Sequence, residues 1–301
     1  MFKKNNILLL ITVIAISIAS ILVKLTNTPS SVMSMYRMYL ASLFLIPMVL
    51  KHRIDFKTIS KSNWFYLIIA GLFLALHFGL WFESLKLTTV TSSTVILSIQ
   101  PIVALFGTFL IYKEKASVKS IATILVSILG VILVSWGDLG GSNPSALIGD
   151  LLSFLSVIAL VAYLLIGQAK IKNISFWTYS FIVFLFAGIF LNIFNLITST
   201  KLTGYSSYDW MMFIALAIFP TIAHVLYNYL LGFISPTTIS MSMLGEPIGA
   251  TVLAIIFLNQ KITALQIFGG IIVLIGIYLF LKNQAKEKQV INYENNKEKN
   301  K

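Results

Sequence analysis

The sequence predicts an all-α membrane protein of ten transmembrane helices, arranged as two inverted five-helix repeats. Three observations carry that prediction. Apolar residues make up 58% of the 301 and charged residues only 11%, far from the balance of a soluble domain. Charges, glycines and prolines divide the chain into ten apolar stretches of about 20 residues, the length that crosses a bilayer. Residues 101 to 134 then align without a gap on residues 247 to 280, pairing Pro101 with Pro247, Lys115 with Lys261 and Gly130 with Gly276. Apolar composition alone can supply further matches such as Ile102 with Ile248, so the weight rests on those three.

The first segment, about 7–26, follows Met1-Phe-Lys-Lys and imitates a signal peptide. It is too long for one, and Lys24 stands where a small-residue cleavage site belongs, so we read it as the first helix. The second, 30–50, ends at Lys51, and Arg53, Lys57 and Lys61 separate it from the third, 63–86. Lys86 divides the third from the fourth, 89–112. Lys113, Lys115 and Lys119 lead into the fifth, 118–136. The linker 137–145, which holds no Lys or Arg, closes the first repeat (1–136) and opens the second (146–282). There the segments run 146–168, 175–198, 210–231, 236–258 and 262–282, punctuated by Lys170 and Lys172, Lys201, the turn Gly232 to Pro236, and Lys261. The polar tail 283–301, rich in Lys, Asn and Glu, is expected to be disordered.

Basic residues set the orientation. With the amino terminus inside, the inner connections and the tail hold 17 Lys and Arg against four outside, at Lys24, Lys86, Lys201 and Lys261. That bias predicts a cell membrane protein with both termini cytoplasmic. Five is odd, so the second repeat enters the membrane from the opposite face. The formal charge of +12 is explained by this topology rather than by a nucleic-acid partner, because the lysines lie between apolar stretches and in the tail. Cysteine is absent, which removes disulfide and thiolate chemistry. No G-x-x-x-x-G-K-[ST], H-E-x-x-H or G-x-S-x-G pattern occurs, so the residues offer no ATP site, metal set or nucleophile, and we expect no enzyme, cofactor or metal.

Ionisable groups in hydrocarbon cost several kcal/mol unless they pair or line a wet cavity. Glu246 lies about halfway along the ninth segment, immediately before Pro247. Gln100 stands at the equivalent place in the fourth, before Pro101. Each proline removes a backbone donor and disturbs the carbonyl four residues earlier. Two broken helices meeting near the midplane are where inverted-repeat transporters place their substrate; the alternative is that Glu246 pairs structurally and the prolines merely bend helices. His77 and His224 sit near mid-span in the third and eighth segments, at related places in the two repeats. Each is either a satisfied structural group or a cavity residue, and because imidazole titrates near neutrality proton coupling stays open. Tyr227 and Asn228 offer polar lining, as does Tyr163.

Glu83 and Lys86 share a helix face and either form an interfacial salt bridge or leave Glu83, with Trp81 nearby, to receive a cation. Arg37, seven residues into the second helix, is too deep for easy snorkelling; it pairs internally, the structural reading, or reaches a cavity. Gly130, Gly269, Gly270 and Gly276 permit close helix approach, within the chain or across a dimer seam.

Leu76-His-Phe-Gly-Leu-Trp-Phe-Glu-Ser-Leu-Lys-Leu-Thr-Thr-Val, then Ile99-Gln-Pro-Ile through Tyr112-Lys-Glu-Lys, resembles the third and fourth helices of the EamA family in the drug/metabolite transporter superfamily. Ala223-His-Val-Leu-Tyr-Asn, Gly245-Glu-Pro-Ile and the glycine-rich last helix resemble its second repeat, and Tyr36-Arg37-Met38 resembles its Arg-Phe pattern in helix two. The resemblance implies ten helices around a central cavity, alternating access, and export of amino acids and other small metabolites, with some importers of organic cations. Two departures stand out: Glu114-Lys115 has Gln260-Lys261 as its counterpart, and Glu83 stands where many members carry an aromatic or small residue.

The expected activity is secondary transport of a small polar, amino-acid-like metabolite, outward, with Glu246, Gln100, His77 and His224 around the site. The alternative cargo is an organic cation such as choline or a polyamine, recognised by Glu83 and Trp81.

Overall fold

The computed structural model describes residues 2–51, 56, 59–88, 90–113, 117–135, 144–171, 174–249, 252–253 and 263–299. All regular structure among them is helical. The elements are α1 (Phe2–Lys24), α2 (Ser30–Lys51), α3 (Lys61–Leu87), α4 (Val90–Leu97), α5 (Gln100–Tyr112), α6 (Val118–Ser135), α7 (Pro144–Lys170), α8 (Phe176–Ile197), α9 (Ser207–Leu230), α10 (Pro236–Met243) and α11 (Ala264–Lys299). Helix is the expected answer for apolar chain in lipid, since it satisfies each backbone group within its own segment.

Among the described residues, eight helices are long and apolar enough to cross a membrane. They correspond to the predicted first to fourth, sixth to eighth and tenth segments. The fifth is a shorter apolar helix, Val118–Leu133. Much of the ninth, beyond residue 249, lies outside the described residues, as do most of the 137–145 linker and the pairs Glu114-Lys115 and Gln260-Lys261. The last helix continues to Lys299, where the sequence predicts a disordered tail after 282. Lys, Glu and Gln are good helix formers, so a polar stretch joined to an apolar helix can propagate it without paying for a new nucleus.

Large apolar side chains cover the outside, among them Leu50, Phe65, Phe106, Leu147 and Ile197. The interior is apolar too, with Arg37, His77, Gln100, His224, Asn228 and Glu246 set within it. Ends are closed by local chemistry. Ser60 caps α3 by accepting from the Asn63 amide, and Ser206 with Asp209 forms a reciprocal capping box on α9. The α1–α2 connection is tied to the same cap, because the Thr26 and Thr28 hydroxyls both donate to Asp209 Oδ1, at 2.8 and 3.0 Å.

Two glycines report how the repeats are related. A Cβ on Gly130 would lie 2.8 Å from the Val273 backbone nitrogen, and a Cβ on Gly276 would collide with the Ser127 hydroxyl. Gly276 follows Gly130 by 146 residues and Val273 follows Ser127 by 146, so the same contact is made twice with the roles exchanged. That is the signature of a local two-fold between α6 and α11. Gly130, Gly269 and Gly276 are therefore spent on packing inside the chain, whereas Gly270 has nothing within 4 Å.

Candidate substrate site

Both proline-bearing segments are interrupted a few residues before their prolines. α4 ends at Leu97 and α5 begins at Gln100 with Pro101 in its first turn. α10 ends at Met243, and helical backbone resumes over 246–249. Gln100 and Glu246 each follow the start of their segment, Val90 or Pro236, by ten residues. At 1.5 Å per residue that is about 15 Å, half of a hydrocarbon core of about 30 Å.

The breaks face each other. Gln100 Nε2 donates to Ser240 Oγ and approaches Met243 Sδ, both at 2.9 Å. Around the break lie Leu97, Ser98, Gln100, Met243, Glu246 and Pro247, lining a cavity of about 20 Å³, room for about one water. Glu246 is buried and its Oε1 has no hydrogen-bond partner. Of Gln100's two partners, Met243 has Leu97 as its counterpart 146 positions earlier, which offers Glu246 no polar atom. α1 seals this second break closely: the Ser17 hydroxyl donates to the Glu246 carbonyl at 3.2 Å, and a Cβ on Gly249 would strike Ser17.

The histidines occupy the same interior from α3 and α9. His77 is ten residues from the end of α3, about 15 Å. Its Nδ1 lies 3.1 Å from the Ser156 carbonyl oxygen on α7, and its ring stacks on Trp81 at 5.8 Å and 11°. His224 is equally buried, yet neither ring nitrogen has a partner. Phe78 joins the group, with its centroid 4.7 Å from His77, 5.1 Å from His224 and 3.6 Å from Arg37 Cζ.

Below His224, Tyr163 donates to Asn228 Oδ1 at 2.5 Å and Asn228 Nδ2 donates to Ser180 Oγ at 2.9 Å. This chain links α7, α9 and α8. Tyr227 turns toward Thr12 of α1 and the Glu246 side. Seven of the expected residues, Glu246, Gln100, His77, His224, Tyr163, Tyr227 and Asn228, thus lie in one buried interior, together with Trp81.

Glu83 does not join them. Two residues apart on a helix, Trp81 and Glu83 point to different sides: Trp81 is fully buried against His77, while Glu83 lines an apolar groove of about 500 Å³ with Leu76, Gly79, Leu80 and Phe194. The Glu83–Lys86 salt bridge, one of the two readings of this face, is not formed, although Glu83 is near enough to act on the Lys86 charge. The Lys86 ammonium donates to the Thr28 carbonyl instead, which i, i+3 spacing alone could not reveal. Arg37, for which internal pairing is the structural expectation, has no partner on any of its three nitrogens.

A multi-pass helical bundle with an internal repeat and a polar interior at two helix breaks defines a membrane transporter. The chain belongs to the EamA-like transporter family, whose profile matches residues 3–136 and 147–282. It is 26% identical over 291 residues to an "Uncharacterized transporter" of Archaeoglobus fulgidus, covering 94% of this chain and 99% of that one. It is 28% identical over 266 residues to "Uncharacterized transporter YxxF" of Bacillus subtilis, covering 87% and 84%. A solved crystal structure shares the fold with a TM-score of 0.76, over 92% of this chain and 96% of its own, at 13% identity.

Proposed function

We propose that this protein is a secondary-active transporter that exports a small polar, amino-acid-like metabolite by alternating access. In this reading ten helices form two inverted five-helix repeats in the cell membrane, with both termini cytoplasmic, and the substrate binds between the two helix breaks. The observation that carries it is the meeting of Gln100 and Glu246 about half a bilayer from their helix starts, one satisfied and the other holding a free carboxylate oxygen. A carboxylate kept unpaired in an apolar interior costs several kcal/mol, and a passing substrate or proton offsets that cost only while bound. His77 and His224 supply groups that can exchange a proton during the cycle.

The organic-cation alternative draws less support, since Trp81 and Glu83 lie apart. The test is counterflow in proteoliposomes with labelled amino acids, quaternary amines, polyamines and nucleosides, with and without a pH gradient. Accumulation of an amino acid supports the proposal. Accumulation of cations alone replaces the substrate class, and no flux of any class sinks the transport reading.

A further inference from the structure

Burial of Arg37 is the least expected feature of this interior. It sits seven residues into α2, about 10 Å along the helix, with 0% of its surface exposed. Nε, Nη1 and Nη2 all lack a hydrogen-bond acceptor. No carboxylate among the described residues lies within ion-pair reach of it. Its electrostatic neighbours are Tyr163, His77 and His224, none of which brings a negative charge at neutral pH. What it does have is the Phe78 face, 3.6 Å from Cζ, with Phe82 at 6.0 Å.

Magnitudes decide whether that is a sufficient structural role. A desolvated cation–π contact is worth about 2 kcal/mol. Taking one ion out of water costs several kcal/mol even after relaxation, and each unmet donor adds to that. The aromatic face therefore holds the guanidinium in place without compensating its burial, and all three nitrogens stay without an acceptor. Further donors stand around the same ring. Trp81, 6.5 Å from Phe78 between centroids, has an unbonded Nε1–H, and His224, at 5.1 Å, has both nitrogens free. Groups from α2, α3 and α9 thus gather around one ring with hydrogen-bonding capacity unused: the guanidinium, an indole N–H and an imidazole that can donate from one nitrogen.

We infer that Arg37 is the anchor for an anionic group of the transported molecule, and that the substrate class is a carboxylate-bearing metabolite, bound through a forked guanidinium–carboxylate contact with Trp81 and His224 as additional donors. The inference rests on the transport reading above and narrows it. An Arg fork matches the two oxygens of a carboxylate in one plane, which a lysine ammonium does not reproduce. It also disfavours simple cations, which would enter a field set by Arg37. Glu246 stands apart on the Tyr227 side, where it is free to meet an ammonium or a proton.

The experiment is ligand-dependent thermal stabilisation of purified, detergent-solubilised protein, using amino acids and simple carboxylates against their matched amides and amines, in wild type, Arg37→Gln and Arg37→Lys. The expected result is stabilisation by acids and not by amides, weakened at least about tenfold in apparent Kd, or about 1.4 kcal/mol, in both variants. Ligand-free Arg37→Gln should melt at or above the wild-type temperature, because it loses an uncompensated buried charge. A structural arginine would behave in the opposite way, lowering the ligand-free melting point. Equal stabilisation by acid and amide, no stabilisation by any carboxylate, or unchanged affinity in Arg37→Lys overturns the inference. If Arg37→Gln does not fold, Arg37→Lys carries the comparison alone. Carboxylate binding through Arg37 without counterflow would sink the transport reading and leave Arg37 as a carboxylate-binding site alone, whereas flux of amides or amines would keep transport and overturn the carboxylate class.

Discussion

The first helix break and the second share a backbone device and differ in chemistry. Both place a polar residue before a proline ten residues into an apolar segment. In the first, Gln100 is neutral and bonded to Ser240. In the second, Glu246 carries a titratable carboxylate whose Oε1 is unbonded. The flanks differ as well: Ile99 and Val103 in the first repeat stand where the second has Gly245 and Gly249, and those glycines let α1 close directly on the second break. The two repeats thus share the break and differ at its polar position, one side chain bonded and the other with an unbonded oxygen.

The largest way to break this difference is Glu246→Gln, which makes the two breaks chemically alike. Counterflow should fall at least about tenfold, a barrier change of about 1.4 kcal/mol, with normal membrane levels by immunoblot. Unchanged flux would remove the carboxylate from the mechanism. The converse, Gln100→Glu, puts an acidic group where an amide donates to Ser240 and faces Met243. It should lower stability by about 1–3 kcal/mol through an unsatisfied buried group, read as a lower melting temperature. Combining it with Glu246→Gln should not restore flux, because Leu97 and Met243 keep the two environments unequal.

Packing gives a third handle. Gly249→Val should cost about 1–3 kcal/mol by overpacking against Ser17, and Ser17→Gly should recover part of it in a thermal-unfolding assay. Full stability of Gly249→Val would show that α1 does not seal the break. The smallest effect belongs to Ser240→Ala, which removes an acceptor from Gln100. It should cost about 1 kcal/mol and leave flux within about twofold. A larger loss would mean that the Gln100–Ser240 bond itself is needed for transport.

Much of the candidate site was legible in the sequence for a simple reason. A polar residue costs so much in hydrocarbon that Glu246, Gln100, His77 and His224 stood out on position alone, and the prolines located the breaks. Arg37 was visible by the same rule, yet its depth fitted both internal pairing and a cavity. Phe78, the ring on which Arg37 and both histidines converge, gave no signal among so many aromatic residues. Glu83 and Trp81 looked like neighbours because they are two residues apart, but helical geometry turns them to different sides. The glycines of α6 and α11 could serve a dimer seam as well as an internal one until their contacts were in view.

Composition and periodicity by themselves determined the membrane class, the helical content and the internal repeat, since each follows from matching apolar length to a bilayer and from keeping backbone hydrogen bonds within a segment. Tertiary structure alone decided which polar atoms find partners. Gln100 meets Ser240 across 140 residues, Lys86 reaches Thr28 rather than Glu83, and Arg37 finds only an aromatic face. Hydrogen bonds and ion pairs act over about 3 to 4 Å, so they depend on how helices distant in sequence dock, which no local pattern encodes.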